Sequence, residues 1–478
     1  MGWLGEHWLH LGFILLYLTV LVYHAWVSRR HAGSLENYLV AGRSLGGGVV
    51  ALSFYATFMS TNTFIGAAGK SWDVGLVWCM GGVVLVGLCC VSWFIVAPRF
   101  VPLTRKYQSL TVPDFLGHHY NSMALRRAAA VIVCFASIVY LVAIYRGSAL
   151  ALGELLELRY DVSALLIFVV VTAYTLVGGF RSVVLTDALQ GTLMVAGAVA
   201  MFAAVLWRGG GPGTILEDLH RQDPSWVSFT GNGLAIALAL NLSVGLKYLV
   251  EPRQLSRFYG LKDSLALRRA AVIAPLLVLV SYVCLLPIGA FAHALIPAGE
   301  IESSDQVVPH LLASANLFGP ALGGLFLLVL LSAAMSSIDS VLLVAASSLD
   351  HDLIAPDRND NREVTRTRMW VIVVSLISML IAVSPLTKDI MTITAFSGSL
   401  YGACFLPALI VGLFWRGPKA PAAIASLVCG AIAVVGWFVA KKLEWTSWHE
   451  VYIGLAVGLS VYVAMGMVHS FQQGRRPE

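Results

Sequence analysis

The chain has 478 residues, 58% of them hydrophobic and only 12% charged, with a mean hydropathy of +0.80. That composition excludes a soluble globular domain and a disordered chain, and it places the protein in the lipid bilayer. The net charge of +5 is carried by short loops between apolar runs, which reads as a topology signal and excludes nucleic acid as a partner.

Taken in chain order, thirteen apolar runs are long enough to cross a hydrocarbon core of about 30 Å. They fall at about 9–27, 47–68, 76–97, 125–145, 162–178, 183–207, 231–250, 270–293, 317–346, 369–385, 391–415, 420–440 and 449–469. The fold class is therefore an all-α integral membrane protein forming one membrane domain over 1–478. The first run lacks a preceding basic segment and a small-residue cleavage site, so it is expected to be retained as a helix. With the N-terminus outside, 22 of the 31 basic residues, Arg253 and Arg257 among them, lie on the cytoplasmic side, eight lie outside and Lys247 falls within a span. The positive-inside rule then gives an N-out, C-in orientation in the inner (plasma) membrane, which an odd number of spans satisfies.

Two spans have polar, helix-weakening centres. The second contains Ala56-Thr57-Phe58-Met59-Ser60-Thr61-Asn62-Thr63; the seventh contains Asn241-Leu242-Ser243-Val244-Gly245-Leu246-Lys247-Tyr248 and runs into Glu251-Pro252. Each opens a unit of five spans, 47–207 and 231–415, leaving one extra helix before (9–27) and two after (420–469). Paired interrupted helices in matching halves point to a midplane binding site. In the ninth span, Ala333, Ser336, Ser337 and Ser340 fall at i, i+3, i+4 and i+7 and share a face, with Asp339 on its flank. A carboxylate at membrane depth costs roughly 2.5–3.5 kcal/mol, and a small hard cation among these oxygens offsets it. A serine cluster of this kind also serves as a helix–helix contact.

The seven cysteines lie within spans without metal-ligand spacing and read as small hydrophobes. His118-His119 reads as part of a solvated cytoplasmic loop, and the segments 208–229 and 294–316 as turn-forming external loops. No HExxH helix or nucleophile elbow occurs, so no enzyme is expected.

The segments AGRSLGGGVVALSFYATFMSTNTFIGAAG (41–69), YTLVGGFRSVVLTDALQG (174–191) and LSAAMSSIDSVLLVAASSLDHDL (331–353) resemble the sodium/solute symporter family, which includes sodium/proline, sodium/pantothenate and sodium/monocarboxylate carriers. The resemblance implies the leucine-transporter type of fold, a five-plus-five inverted repeat, and Na+ as coupling ion. It implies a main sodium site at the carbonyls of Ala56, Met59 and Ala333 and the hydroxyls of Ser336 and Ser337. It also implies a second sodium site, or an exit path, at Asp187, Asp339 and Ser340 together with Ser336. Asp187 alone reads equally as an interfacial carboxylate. Solute contacts carried over in the same way are Tyr140, Tyr248 and Pro252, with Thr57 and Ser60 on the broken second helix; Val244 stands where one branch has an aromatic. Lys247 is a departure with three readings: a contact to a solute carboxylate, an ion pair with Glu251 at i+4, or snorkelling to the interface. The expectation is import of a small organic solute, a monocarboxylate or similar anion, by a monomer. A sugar or amino-acid symporter and a solute sensor working with a separate signalling partner are the alternatives.

Overall fold

A computed structural model describes residues 3–230, 232–297, 299–301, 303–313, 320–354, 362–384, 390–415, 417–446 and 448–473. Parts of several expected spans (231, 317–319 and 385), and the basic residues Arg358, Lys388, Arg416, Arg475 and Arg476, lie outside them.

Apart from short breaks, the described residues of the apolar runs are helical. We number the main helices α1 (Trp3–Ser28), α2 (Gly47–Phe58), α3 (Ala68–Val74), α4 (Cys79–Cys90), α5 (Ala97–Lys106), α6 (Met123–Leu156), α7 (Tyr160–Arg208), α8 (Asn232–Gly245), α9 (Pro252–Tyr259), α10 (Ser264–Leu285), α11 (Pro320–Ser347), α12 (Glu363–Val383), α13 (Ile390–Phe405), α14 (Ala420–Lys442) and α15 (Glu450–Gln473). Ten helices are each long and apolar enough to span a membrane, and two bent pairs raise the number to twelve. The 49-residue α7 would extend about 74 Å if straight, more than twice the hydrocarbon thickness. It does not run straight, because Gly179 interrupts it at φ 58°, ψ −157°. Tyr174 and Asp187, 13 positions apart and so about 20 Å apart along a straight helix, reach the adjacent residues Asp339 and, through Arg257, Ser340. Counted as two spans on either side of this non-helical residue, α7 brings the number among the described residues to thirteen.

The centre is α11, whose apolar window is 94% buried against 28% for α15. α7 packs on α1, α2, α6, α11 and α12; α10 packs on α2 and α4. α14 and α15 pair with one another and lean on α13 at the rim. Lipid covers the rest: Leu15, Phe135, Val169, Val272 and Ile432 are all exposed, as expected where the solvent is hydrocarbon.

The loops carry more structure than their composition suggests. The expected external loop 208–229 contains a helix over Pro212–Gln222, because Pro212 sits at the first helical position, where its missing N–H is harmless. The His118-His119 segment closes a helix, Val112–His119, capped by the Thr111 hydroxyl. His118 bonds Asp114 and His119 stacks on Phe115, so neither is a freely solvated loop residue. Asp114 and Asp352 share Arg126, at 3.2 and 3.0 Å. Burial acts to raise the Asp114 carboxyl, but His351, Arg126 and the Leu110 N–H outweigh it and hold the carboxyl below its ordinary range. The cluster Asp114, His351 and Asp352 is compact enough for a metal, yet Arg126 already occupies the position between its carboxylates. On the opposite face, His293 lies flat between Trp72 and Trp226, with ring centroids 3.6 and 3.8 Å away.

A methyl group at Gly179 would sit 2.6 Å from the Tyr38 ring and 2.8 Å from its carbonyl, at a backbone conformation reserved for glycine. Gly179→Ala is expected to lower stability by about 2–3 kcal/mol, read as a depressed unfolding temperature in detergent. Gly48→Ala, with open space around it, is expected to be neutral or slightly stabilising.

Candidate functional site

The site starts at the break in α2. The helix stops at Phe58, Met59 turns to φ −82°, ψ 130°, and the chain resumes at a 70° bend. Several carbonyls lose their helical acceptor role there, those of Ala56 and Met59 among them. The Ser60 N–H, which would serve Ala56, donates to Thr63 Oγ1 at 3.3 Å. The Thr63 N–H, which would serve Met59, donates to the Ser60 carbonyl at 2.8 Å. Both freed carbonyls are buried, and an unsatisfied one would cost about 1–3 kcal/mol.

α11 answers the first of them. Ser336 Oγ donates to the Ala56 carbonyl at 3.1 Å. The Ala333 carbonyl accepts from Ser336 at 3.3 Å and Ser337 at 3.2 Å. The structure thus brings Ala56, Ala333, Ser336 and Ser337 together beside Met59, every one of them fully buried. These are neutral hard oxygens of the kind a sodium ion takes. The contact is also the helix–helix hydrogen bond of the alternative reading, so one geometry serves both.

One turn further along α11 stands a charged cluster. Asp187 is wholly buried, which corrects its reading as an interfacial carboxylate. It accepts from Ser53 Oγ at 2.7 Å and is paired with Arg257. Arg257 also donates to Ser53 at 3.0 Å and to Ser340. Asp339 accepts from Tyr174 at 2.8 Å and Ser340 at 3.0 Å. Asp187, Asp339 and Ser340 are therefore neighbours, with a guanidinium between them that the sequence reading did not place. A crevice bounded by Leu39, Thr111, Pro252, Ser347, Arg257 and Ser340 reaches this cluster.

The second break lies between α8 and α9. A tight turn over Leu246–Leu249 precedes a 42° bend, where the Lys247 carbonyl accepts both Val250 and Glu251 N–H groups. α9 then returns into the protein, so Arg253 and Arg257 are 1% exposed. The sequence pattern puts both on the cytoplasmic side, and the structure buries them. The bend redirects the helix inward, and the i, i+4 spacing puts both arginines on the buried face.

Lys247 is buried too, which excludes snorkelling. Glu251 pairs with Arg253, Oε1 to Nε at 2.7 Å, and among the described residues no carboxylate lies within 4.0 Å of the Lys247 ammonium. It rests instead over the rings of Tyr140 and Tyr248, 5.5 and 5.2 Å from their centroids. Gly398 makes room for its stem, since a methyl there would be 2.7 Å from Lys247 Cδ. Tyr248 stacks on Phe58 at 4.0 Å, joining the two broken helices. Of the other expected solute contacts, Pro252 opens α9 and is buried. The Thr57 hydroxyl is committed to Phe54, Ser53 and Gln254, and Ser60 lies at the α2 break. Val244 is on the outer surface, away from the site.

Residues 38–430 match the model of the sodium:solute symporter family. The chain is 27% identical over 471 residues to a sodium/pantothenate symporter of Haemophilus influenzae, covering 95% of this chain and 96% of that one. It is 28% identical over 439 residues to a sodium/proline symporter of Staphylococcus aureus, covering 89% and 84%. In fold it resembles a substrate-bound, outward-open Na+-coupled sialic acid symporter, with a TM-score of 0.81 and 19% identity over 97% of this chain and 98% of that one. It also resembles the nucleobase-cation-symport-1 transporter Mhp1 in a closed conformation, with a TM-score of 0.60 and 13% identity over 92% and 96%. The architecture is the leucine-transporter fold, and sodium is the coupling ion. The chain belongs to the sodium:solute symporter family.

Proposed function

We propose that this symporter imports a small organic monoanion, a monocarboxylate or a close chemical relative, together with sodium. The observation that carries the solute class is Lys247: a buried ammonium between two tyrosine rings, with no carboxylate of the protein within 4.0 Å among the described residues. A desolvated cation of this kind favours an anionic ligand. Both solutes in the relatives' names, pantothenate and proline, carry a carboxylate. Proline adds an ammonium that Lys247 and Arg253 would repel. Each copy holds both breaks of its own chain, so the monomer is the transporting unit, with its N-terminus outside and its C-terminus in the cytoplasm.

Sodium binds among the carbonyls of Ala56, Met59 and Ala333 and the hydroxyls of Ser336 and Ser337. In the described geometry the Ser336 hydroxyl donates to the Ala56 carbonyl. Sodium binding turns that hydrogen away so that both oxygens present lone pairs to the ion. The α2–α11 contact is then held by the ion, which favours the state competent for solute, and coupling is the difference in sodium and solute affinity between the two access states. Asp187, Asp339 and Ser340 line the path by which sodium leaves, with Arg257 holding Asp187 when the ion has gone.

Replacing both hydroxyls, Ser336→Ala with Ser337→Ala, is expected to reduce solute uptake in proteoliposomes to the level measured without sodium, with the protein still expressed and folded and its unfolding temperature lowered only by the loss of the bond to the Ala56 carbonyl. An unaltered sodium concentration for half-maximal uptake would remove the assignment. Asp187→Asn leaves Arg257 buried without its principal partner and is expected to cost ~3 kcal/mol. Adding Arg257→Met should recover most of that loss in a thermal melt, and an additive double variant would show that the pair does not act as a unit.

A further inference from the structure

Two buried charge imbalances of opposite sign flank the α2 break. Asp187, Asp339 and Arg257 carry a formal charge of −1 together, on the sodium side. Lys247, Glu251 and Arg253 carry +1, on the solute side. Every one of these six side chains is at most 6% exposed. The second group is incompletely satisfied. Arg253 and Glu251 meet as an ion pair at a single point, Nε to Oε1 at 2.7 Å, and none of the three Arg253 nitrogens, nor Glu251 Oε2, makes a well-formed hydrogen bond among the described residues. A buried guanidinium with two idle nitrogens is costly unless something accepts from them.

The guanidinium lies over the Tyr140 ring, 4.5 Å from the centroid, and the Lys247 ammonium lies 5.5 Å from the same centroid. A narrow gap bounded by Ser137, Tyr140, Glu251, Arg253 and Tyr401 lies beside it, closed to a water-sized molecule in this state, so a solute there requires the site to open. Val341, one helical turn beyond Ser337, forms another wall of that gap, so anything held there abuts the helix that supplies the sodium ligands.

We propose that Arg253 is the specificity-determining residue of the solute site, its Nη1 and Nη2 gripping the solute carboxylate in a bidentate contact, while Lys247 supplies the second, non-directional positive charge. This rests on the monoanion reading above and sharpens it. With Glu251 retaining Nε, the group has one positive charge to spare. It takes one negative charge: a monocarboxylate neutralises it, a dicarboxylate overshoots, and a neutral sugar or a zwitterion leaves it unbalanced. Planar fork geometry is what arginine offers and lysine does not, so the carboxylate is read by Arg253, with Lys247 adjusting affinity.

The test uses the full-length protein, purified and held in sodium. Binding is measured by calorimetry for propionate, lactate, pyruvate and pantothenate, for the neutral amides propionamide and lactamide, and for malonate, proline and glucose. The wild type is expected to prefer acids over their amides at least tenfold. Arg253→Gln should bring the acid-to-amide ratio close to one while sodium alone still raises the unfolding temperature, and Arg253→Lys should restore only part of the preference. Glu251→Gln, which leaves the guanidinium in place and raises the group's charge to +2, should improve malonate binding several-fold relative to propionate. An unchanged acid-to-amide ratio in Arg253→Gln overturns the role of Arg253. If that variant does not fold, an unchanged malonate-to-propionate ratio in Glu251→Gln does so instead. A wild-type protein that binds no acid in sodium refutes the monoanion reading itself, a result distinct from either.

Discussion

A backbone carbonyl inside a membrane has no water to fall back on, and the break in α2 depends on how that problem is solved. Ending the helix at Phe58 frees the Ala56 and Met59 carbonyls at the centre of the bundle, where an unpartnered group costs about as much as a hydrogen bond is worth in an apolar medium. The structure spends a serine from the most buried helix on Ala56. That contact crosses from the first five-helix unit to the second, so the helix break is stable only while the two halves are docked. On the proposed reading, the bond that satisfies the backbone is also the joint on which alternating access turns, and sodium suits this place because it substitutes for the hydrogen bond without adding steric bulk and because its charge is welcome beside Asp187 and Asp339.

The two sides of that joint are electrostatically complementary. On the proposed reading, cation and anion bind on opposite flanks of the same short unwound segment, and each reduces the desolvation cost that the other faces in a low dielectric. Tyr140 packs against both Lys247 and Arg253, and Phe58 and Tyr248 stack beside them. Coupling of this sort needs no long pathway through the protein.

Much of this is written in the sequence for physical reasons. The two breaks are visible because clusters of small and hydroxyl residues weaken a helix wherever they occur, and the serine face of α11 is visible because helical spacing is local. Thirteen spans were legible because hydrocarbon thickness sets a length, and the turn at Gly179 agrees with the polar GGFRS interruption. Arg253 and Arg257 were not recovered. Basic residues directly after an apolar run look like interface anchors, and whether they return to the core depends on the direction in which the chain leaves the second break, a 42° bend whose sense no local pattern encodes. Their i, i+4 spacing behind Glu251, a carboxylate already close to one of them, was the available signal. The fate of Lys247 was undetermined for a related reason: whether Glu251 served it or Arg253 is a matter of a few ångströms in three dimensions.

The break at Gly179 has a consequence for how the protein is made. Membrane chains are threaded in from one end, and each crossing decides which side the next one starts from. α7 offers almost fifty residues of continuous helix-forming sequence, and a single glycine conformation, seated against Tyr38, turns it from one crossing into two. Parity is at stake: if that turn were lost, α8 and everything after it would enter upside down, and the second repeat would match the first in direction instead of opposing it. The inversion that gives this fold its central site therefore rests on an even–odd count, set at one residue far from any ion or solute.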